Sequence, residues 1–539
     1  MIIPADNGER EAFYDELIGK CFLSRPERSA QHARLRNFYL FGTHSGQRAL
    51  FNKIQPHIDL LTSFLFSSET TRFSMSLGAG VDVEEYKKMQ PLSRAVQDEW
   101  LRANIDMTFG EALKWALVSG SSFIKLFWRE GLHAYLVESH QVGVLREDAP
   151  YLDRQECIAH RYSITESELR YRLTSHPNRE KILARVQLGG SPQQDAKPSG
   201  LMNVIINSVT PTITGVIDGR LSGSDYLPEV DESLINMTEL WIWNDDIDDY
   251  QTVTMADPGV VIYDRRNIFV TGEQPLVQIV PSPLYNYFWG ESEVDRLTLL
   301  QEKRSARMDE IMDLLTAQLK PPTVLTGQWG IQDEKEFAFG MPGSFLSSDD
   351  AQAKMERFAP DLPNDVFAEI KEIDTMFDEA SGITSIMQGM GEKGVRGRGH
   401  ADALARLGST RAKRRALIVE DSLEKIATLT LRCIQKYDDR RLMDEDGNPF
   451  IAEQFTKDYV MKVDAHSNSP IFVEDQRDIA GVLFEAKAID RRTLIEMMNP
   501  PSLDLLLLRL QKIEDKEAEQ AKAEADAKAQ PSPGGQANA

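Results

Sequence analysis

The spacing of apolar residues divides the chain into a helical beginning, a strand-rich middle and a series of long helices. In the first 130 residues, apolar positions recur at steps of three or four, most clearly over residues 31–66, with breaks near Gly42 and Gly46. This periodicity is typical of amphipathic helices. Helical spacing returns over Phe109–Val118, and we expect Gly120 to end that helix.

A second pattern, rich in β-branched and aromatic residues, follows this glycine. The run SSFIKLFW predicts a strand, and residues 132–163 predict further short strands. Residues 164–188 predict a return to helix, with Thr165 as the N-cap and Glu168 three residues later. Within residues 236–280 the runs MTELWIWN, YQTVTM, GVVIYD and PLVQIV predict a small antiparallel sheet in an α+β unit. We therefore expect an α+β fold.

Two long helices are predicted on either side of a short segment of strands and turns. Residues 291–319 contain neither Gly nor Pro and carry a stripe of apolar residues, which predicts a helix of about 43 Å. Residues 320–362 predict strands and turns, and residues 363–382 predict a second helix with Asn364 as its candidate cap. Each apolar stripe is narrow, so both helices need neighbours, and copies in adjacent subunits are one obvious source.

The remaining segments differ sharply in composition. Residues 383–400 hold five glycines and predict a loop that is not stiff. Residues 189–228, rich in Gly, Ser and Pro, predict an extended arm or loop insertion. A third long helix is predicted at 401–437, a turn and strands at 438–474, and two or three helices at 475–515. The last residues, 516–539, have the composition of a disordered tail.

Composition and charge narrow the classes of function. Hydrophobic residues make up 41% and charged residues 27% of the 539 residues, as in ordinary globular proteins. The net charge of −23 excludes a protein that coats duplex DNA with its whole surface, because neutralising phosphates requires Lys and Arg. The three cysteines form no CxxC pair, which predicts buried free thiols in a reducing cytoplasm. The N-terminus lacks the features of a signal peptide and the apolar run Leu503–Leu510 is too short to cross a membrane, so we expect a soluble intracellular protein.

Catalytic signatures are nearly absent from the sequence. It contains no GxxxxGK[ST], HExxH or GxSxG motif, and the histidines have no paired spacing suited to a metal. The turn sequence DEDGN lacks the spaced Glu of a calcium loop. One acidic cluster could bind a hard cation, although a solvated turn is the favoured interpretation. Its members are Asp245, Asp246, Asp248 and Asp249. We predict no enzyme activity, cofactor or metal, with a metal-dependent nucleic-acid enzyme that uses this cluster as the alternative.

A basic cluster stands out against the acidic chain. Residues 391–415 hold eight basic and two acidic residues. The favoured interpretation is a solvated helix face with ion-pair partners elsewhere, and the alternative is sequence-independent contact with the phosphate backbone. The lack of interleaved aromatic residues argues against base stacking. The basic residues are Lys393, Arg396, Arg398, Arg406, Arg411, Lys413, Arg414 and Arg415.

The order of these parts resembles the portal, or head-to-tail connector, family of tailed bacteriophages. The segment LKWALVSGSSFIKLFW resembles the helix–Gly–strand step of that family, with Gly120 at the junction. PSPLYNYFWGESEVDR resembles the start of its first stem helix, where Gly290 and Ser292 match a Gly-x-Ser step. DEASGITSIMQGMGEKGVRGRGHADALARLGSTR resembles its second stem end, tunnel loop and tunnel helix. The resemblance covers residues 30–515, and 189–228 depart from it.

The resemblance implies a division of the chain into the parts of a portal subunit. These are a wing at 1–290, stem helices at 291–319 and 363–382, a clip at 320–362, a tunnel loop at 383–400, a tunnel helix at 401–437, wing return strands at 438–474, crown helices at 475–515 and the tail at 516–539.

The same resemblance implies a function. A closed homo-oligomeric ring, expected to hold twelve subunits, would occupy one capsid vertex of the virion after assembly in the host cytoplasm. Terminase would package double-stranded DNA through it, and scaffolding, capsid and tail-adaptor proteins would bind it, without any membrane. The tunnel loop and helix would contact DNA through the basic cluster. In the clip, Trp329, Phe337 and Phe345 are candidate anchors for a partner, or members of a small core. Another capsid or tail-ring protein is the structural alternative.

Overall fold

Helices occupy both ends of the described chain and strands its middle, in the order that the apolar periodicity predicts. The computed structural model describes residues 1–4, 6–43, 49, 51–66, 73–75, 83–186, 234–319, 323–326, 352, 354–357, 365–381, 410–444, 448–455, 459–463, 480–489, 491, 494–495, 506, 509–510 and 512–513. The predicted arm at 189–228 and tail at 516–539 lie outside these residues, and only parts of 475–515 lie within them.

The helices and strands of this α+β fold follow one another along the chain in the order α1 (Asn7–Cys21), α2 (Arg25–Phe41), α3 (Ile54–Leu65), β1 (Phe73–Met75), α4 (Val83–Arg102), α5 (Ile105–Ser119), β2 (Ser122–Trp128), β3 (Leu132–Glu138), β4 (Val142–Val144), β5 (Cys157–Thr165), α6 (Glu166–Arg172), α7 (Arg179–Arg185), β6 (Leu234–Asn244), β7 (Asp249–Ala256), β8 (Val260–Arg266), β9 (Leu276–Ile279), α8 (Glu293–Leu319), β10 (Thr323–Thr326), β11 (Lys354–Arg357), α9 (Asp365–Ser381), α10 (Thr410–Tyr437), β12 (Arg441–Met443), β13 (Pro449–Ile451) and β14 (Met461–Val463). Short 3-10 turns lie at Ser139–Gln141, Leu152–Arg154 and Ala452–Gln454.

The largest core lies between the N-terminal helices and α10. Phe38, Trp100 and Phe109 are fully buried there, together with Leu423 and Ile434 of α10. Ala416, Val419, Leu423 and Ile426 of α10 are buried at steps of three and four, and from Ile426 to Ile434 most positions are buried, so this part of the helix is enclosed on several sides. Strand β14 pairs antiparallel with β1, so the C-terminal part of the chain returns to the N-terminal helices.

Two antiparallel sheets lie beside this helical core. One has the strand order β3-β2-β9 and the other β4-β5-β6-β7-β8. Helix α1 covers one face of the larger sheet through Tyr14 and Leu17, which pack with Leu240 and Val253. The aromatic residues between the sheets form a separate cluster that includes Phe123, Trp241, Phe288 and Trp289.

The strand PLVQIV occupies a different sheet from the one that the sequence predicts. The sequence pattern groups it with the three preceding runs, but β9 pairs with β2, where Ser122 lies opposite Ile279. Strand β2 is buried over its first five residues and therefore needs a partner on each side. The apolar pattern of β9 suits either sheet, so pattern alone does not choose its partner.

The predicted helix start at Thr165 is confirmed. The Thr165 Oγ1 atom accepts a hydrogen bond from the backbone N–H of Glu168 at 3.2 Å and caps α6. The Glu168 carboxylate turns outward and accepts from Arg172 at 2.6 Å. The cap therefore uses the hydroxyl alone.

The predicted free, buried thiols are also confirmed. All three cysteines are buried and free. The Sγ atoms of Cys21 on α1 and Cys157 on β5 lie 3.8 Å apart. Their hydrogen bond, followed by burial, raises the pKa of Cys157, which keeps this thiol protonated.

Helices α8 and α9 have close to the predicted bounds, and of the helix predicted at 401–437 the structure describes Thr410–Tyr437. Helix α8 contains 27 residues and begins two residues later than expected, and α9 spans 17 residues. The ion pairs Arg304–Asp374 and Arg307–Glu369 show that α8 and α9 run antiparallel. Strands β10 and β11 follow α8 and precede α9, and they pair antiparallel with each other. None of the helices in the described residues combines the length and apolar character needed to cross a membrane.

Candidate nucleic-acid interface

The start of α8 is fixed by a close backbone approach between Gly120 and Gly290. Gly120 ends α5 with a φ of 89°, and a Cβ atom on either glycine would overlap the carbonyl oxygen of the other. The Ser292 hydroxyl donates to the carbonyl oxygen of Val118 at 2.5 Å and accepts from the N–H of Asp295 at 3.0 Å. The Gly-x-Ser step that the sequence singled out therefore joins α5 to the first turn of α8.

Replacing Gly290 by alanine is expected to lower the free energy of unfolding by about 3 kcal/mol, the upper part of the usual cost of overpacking. Its Cβ would also lie 2.5 Å from Cγ1 of Val280, so several neighbours would have to move. Chemical denaturation would measure the change. Gly19→Ala is the matched control, because no described atom lies within 4 Å of the position that the alanine Cβ would take, and alanine favours the helix by up to about 1 kcal/mol. Equal stability of the two variants would contradict the close approach.

A buried carboxylate links the first turn of α8 to α10. Glu293 is 1% exposed and accepts from Arg415 at 2.7 Å and from Arg296 at 3.3 Å. Burial raises the pKa of Glu293, although both arginines oppose the change. The pair Glu293–Arg415 therefore sets the position of α10 relative to α8.

Further ion pairs hold α9 against α8 and against Lys53, the residue before α3. Asp374 of α9 accepts from Arg304 at 2.7 Å and from Lys53 at 2.9 Å. Burial raises the pKa of Asp374, but hydrogen bonds from Lys53 and then Arg304 outweigh it and lower the pKa overall. Near the start of α9, Glu369 pairs with Arg307 of α8 at 2.8 Å. The helix pair is therefore held by charged side chains as well as by apolar ones.

The basic residues that the sequence singled out fall into three groups. Lys393, Arg396, Arg398 and Arg406 lie outside the described residues, and the side chains of Arg411 and Lys413, on α10, are not described either. Arg414 is exposed on α10, whereas the neighbouring Arg415 is 12% exposed and bound to Glu293. Adjacent positions on a helix point about 100° apart, which explains the difference. The aromatic residues Trp329, Phe337 and Phe345 also lie outside the described residues.

Comparison with known proteins places the chain in a family. The sequence model of the family described as "Phage SU10 portal protein" matches residues 128–466, more than half of the chain. The chain belongs to the phage SU10 portal protein family. The suspected membership of the phage portal family is thereby confirmed, and this family is structural rather than enzymatic. No curated protein matches the chain.

One solved structure with a similar chain is described as the virion of a native gene transfer agent (GTA) particle. The two chains are 10% identical, with a TM-score of 0.39. The match covers 83% of the present chain and 89% of the other.

The acidic cluster of this portal protein lies on the turn between β6 and β7. Asp245, Asp246 and Asp248 are exposed, whereas Asp249 is 2% exposed. The Asp249 carboxylate accepts from the backbone N–H groups of Tyr250 and Gly272, both at 2.8 Å, and from the side chains of Asn267 and Arg266. These donors occupy the buried carboxylate and tie the turn to the loop after β8. The geometry is that of a solvated turn, the interpretation that the sequence favours.

Two buried polar clusters in the portal fold escaped prediction from the sequence. Lys125 on β2 pairs with Glu239 on β6, and His32 on α2 lies beside Glu138 and His140. The members of each cluster are more than 100 residues apart in the chain, with the exception of Glu138 and His140. The only local signals were a Lys inside the apolar run SSFIKLFW and the closely spaced Glu and His of VESHQ.

Proposed function

We propose that this portal protein forms the ring through which double-stranded DNA enters and leaves the phage capsid. In this proposal, α8 and α9 are the stem helices, the segment between them is the clip, and α10 belongs to the tunnel helix. A terminase would drive DNA through the ring, and the clip would bind first the terminase and later the tail adaptor. In the finished virion the ring would occupy one capsid vertex. Membership of the portal family is the observation that carries the proposal.

The surfaces of α8 and α9 support a ring of neighbouring subunits. Several large apolar side chains on these two helices are exposed in the single chain, which is costly unless another surface covers them. They are Leu299, Met312, Leu319, Phe367 and Met376. Adjacent copies packed side by side would bury them around a channel.

Charge on the same helices supports a channel along which DNA slides. Helix α9 carries six acidic residues and one basic residue, Lys371, and of the six, Glu369 and Asp374 are paired with Arg307, Arg304 and Lys53. An acidic wall repels phosphates and lowers the affinity that a basic channel would have for DNA. The cations of residues 391–414 would then supply brief, sequence-independent contacts, whereas Arg415 is already bound to the buried Glu293.

The oligomer can be tested by electron microscopy and native mass spectrometry of the chain expressed together with its scaffolding and capsid proteins. The proposal expects single closed rings with a central channel, and the mass gives the number of subunits, for which we expect twelve. Incorporation at many capsid positions, or only into tail structures, would contradict it and favour another capsid or tail protein.

Changing Arg396 and Arg398 to glutamate is expected to reduce DNA packaging or retention while rings still form. The reversal of charge would replace attraction to phosphate by repulsion along the DNA path. Packaged DNA per particle, measured by nuclease protection, checks the prediction. Arg129→Glu with Arg154→Glu is the control, because it makes the same change of charge at exposed positions elsewhere. Loss of rings in the first variant alone would instead assign these arginines a structural role.

A further inference from the structure

Three potential metal ligands converge where α2 meets the end of β3. His32 lies on α2, Glu138 is the last residue of β3, and His140 lies in the 3-10 turn that follows. The Oε2 atom of Glu138 is 3.7 Å from Nε2 of His32 and 3.3 Å from Nδ1 of His140. All three ligand atoms lie within 4.8 Å of one another.

These three atoms are buried and unsatisfied. His32 is 6% exposed, and its Nε2, the Oε2 of Glu138 and the Nδ1 of His140 have no hydrogen-bond partner among the described residues. A buried polar atom without a partner costs about 1–3 kcal/mol. The neighbouring Arg28 is paired, since it donates to the carbonyl oxygens of Ser139 and Val142 at 2.8 and 3.2 Å. Nε and Nη1 of the buried Arg36 guanidinium also have no hydrogen-bond partner among the described residues, so the unmet hydrogen bonding comprises the three ligand atoms and this neighbouring cation.

We propose that His32, Glu138 and His140 bind one divalent transition-metal ion of the zinc class. Two imidazole nitrogens and one carboxylate oxygen are a ligand set that suits zinc and its first-row neighbours, whereas calcium and magnesium prefer oxygen alone. Ligand atoms at about 2.0–2.1 Å from a tetrahedral ion lie about 3.3 Å apart. The observed separations of 3.3 and 3.7 Å from the Glu138 oxygen match this spacing with small adjustments.

The backbone around Glu138 holds the ligands in place. The Glu138 carboxylate accepts the backbone N–H of Gln141, and the Gln141 side chain accepts the N–H of Glu138 at 3.2 Å. This reciprocal capping fixes one carboxylate oxygen and leaves the other, Oε2, directed at the histidines. It also fixes the turn that carries His140, as hydrogen bonds around metal ligands commonly do.

The charge of a neighbouring arginine, Arg36, should affect the affinity of the site for a metal ion. The Arg36 guanidinium, 4% exposed, lies over the Trp115 ring at 5.4 Å and attracts the Glu138 carboxylate. It therefore competes with a cation for the same negative charge. Removing the charge of Arg36 should strengthen binding of a metal ion, whereas it would weaken binding of an anion.

The bound ion would join α2 to the end of β3. Helix α2 otherwise contacts this turn through Arg25, which donates to the carbonyl oxygen of His140 at 3.2 Å, and through Arg28. Since three ligands leave a tetrahedral ion one open position, a water molecule would complete the site. The site does not depend on the proposed DNA channel.

The test is equilibrium dialysis of tag-free, chelator-treated protein against Co²⁺ and Zn²⁺, with metal content per chain and the Co²⁺ absorption spectrum as readouts. We expect the wild-type protein to bind one ion per chain. The affinity for this ion should fall at least about tenfold in His32→Ala and in His140→Ala. His133→Ala is the matched control, because His133 is exposed on β3 and should leave binding unchanged. Arg36→Met should bind Co²⁺ more tightly.

Two outcomes would overturn the proposal. Wild-type protein that retains no more Co²⁺ than His32→Ala and His140→Ala would show that water fills the cluster. Weaker Co²⁺ binding by Arg36→Met would contradict the electrostatic argument. If the histidine variants do not fold, the wild-type stoichiometry and the change in Arg36→Met decide the question, and the absence of saturable binding to both proteins overturns it.

Discussion

Arg415→Met is expected to lower the free energy of unfolding by about 3 kcal/mol or more at neutral pH. The substitution keeps an unbranched apolar chain in place of the alkyl part of Arg415 and leaves Glu293, which is 1% exposed, with Arg296 as its remaining cationic partner at 3.3 Å. Breaking a buried ion pair from one side is costly because the other charge stays buried. Urea denaturation of the purified chain measures the difference.

Arg414→Met is the matched control for this prediction. It removes the same charge one residue earlier, from an exposed side chain, and should change stability by less than about 0.5 kcal/mol. Adding Glu293→Gln to Arg415→Met should restore much of the loss, because both charges are then absent. Equal effects of Arg414→Met and Arg415→Met would contradict the structural role that we assign to Arg415.

The loss of stability caused by Arg415→Met should depend on pH in a definite direction. Burial raises the pKa of Glu293 above 4.5, and Arg415 opposes this change. Without Arg415 the pKa rises further, so the folded state binds a proton that the unfolded state releases. The loss of stability in Arg415→Met should therefore appear as pH rises above about 4.5 and shrink as pH falls towards it. A loss that stays constant over this range would argue against an uncompensated carboxylate.

Local patterns predicted the elements that short stretches of sequence determine. The helical spacing of α5, the glycine at 120 and the β-branched and aromatic run of β2 follow one another directly in the chain, and the step from Gly290 to Ser292 carries its own cap. Such features depend on neighbours in the chain, so sequence reveals them. That Gly120 and Gly290 meet in space is shown only by the structure.

The sequence patterns did not predict the contacts between segments that lie far apart in the chain. The predicted partner of β9 is wrong because its short apolar run suits either sheet. The pairing of Arg415 with Glu293 joins residues 122 positions apart, and a run of basic residues looks alike whether its members face solvent or a buried acid. The histidine cluster escaped for the same reason, because ligand spacing is recognisable only when the ligands share a local segment.

Lys125→Met is expected to lower the free energy of unfolding by about 3–5 kcal/mol at neutral pH. Lys125 is 6% exposed, pairs with Glu239, and lies 3.3 Å from Nδ1 of His160 and 4.8 Å from the centre of the Trp241 ring. In the variant, the Glu239 carboxylate keeps the Tyr162 hydroxyl at 2.9 Å as a neutral donor but loses its cationic partner. Lys181→Met, at an exposed position of α7, is the control.

Lowering the pH should reduce the difference in the free energy of unfolding between the wild type and Lys125→Met. Burial raises the pKa of Glu239, but Lys125 outweighs it, so the pKa lies below 4.5 in the wild type. The wild-type pair therefore stabilises the fold above about pH 4.5, and this contribution is lost as pH falls through the lowered pKa. In the variant, burial without Lys125 raises the pKa of Glu239, so protonation on acidification relieves the buried charge. Urea denaturation near pH 7 and near pH 4.5 should show the gap closing, and a gap that widens towards acid would contradict the pairing of Lys125 with Glu239.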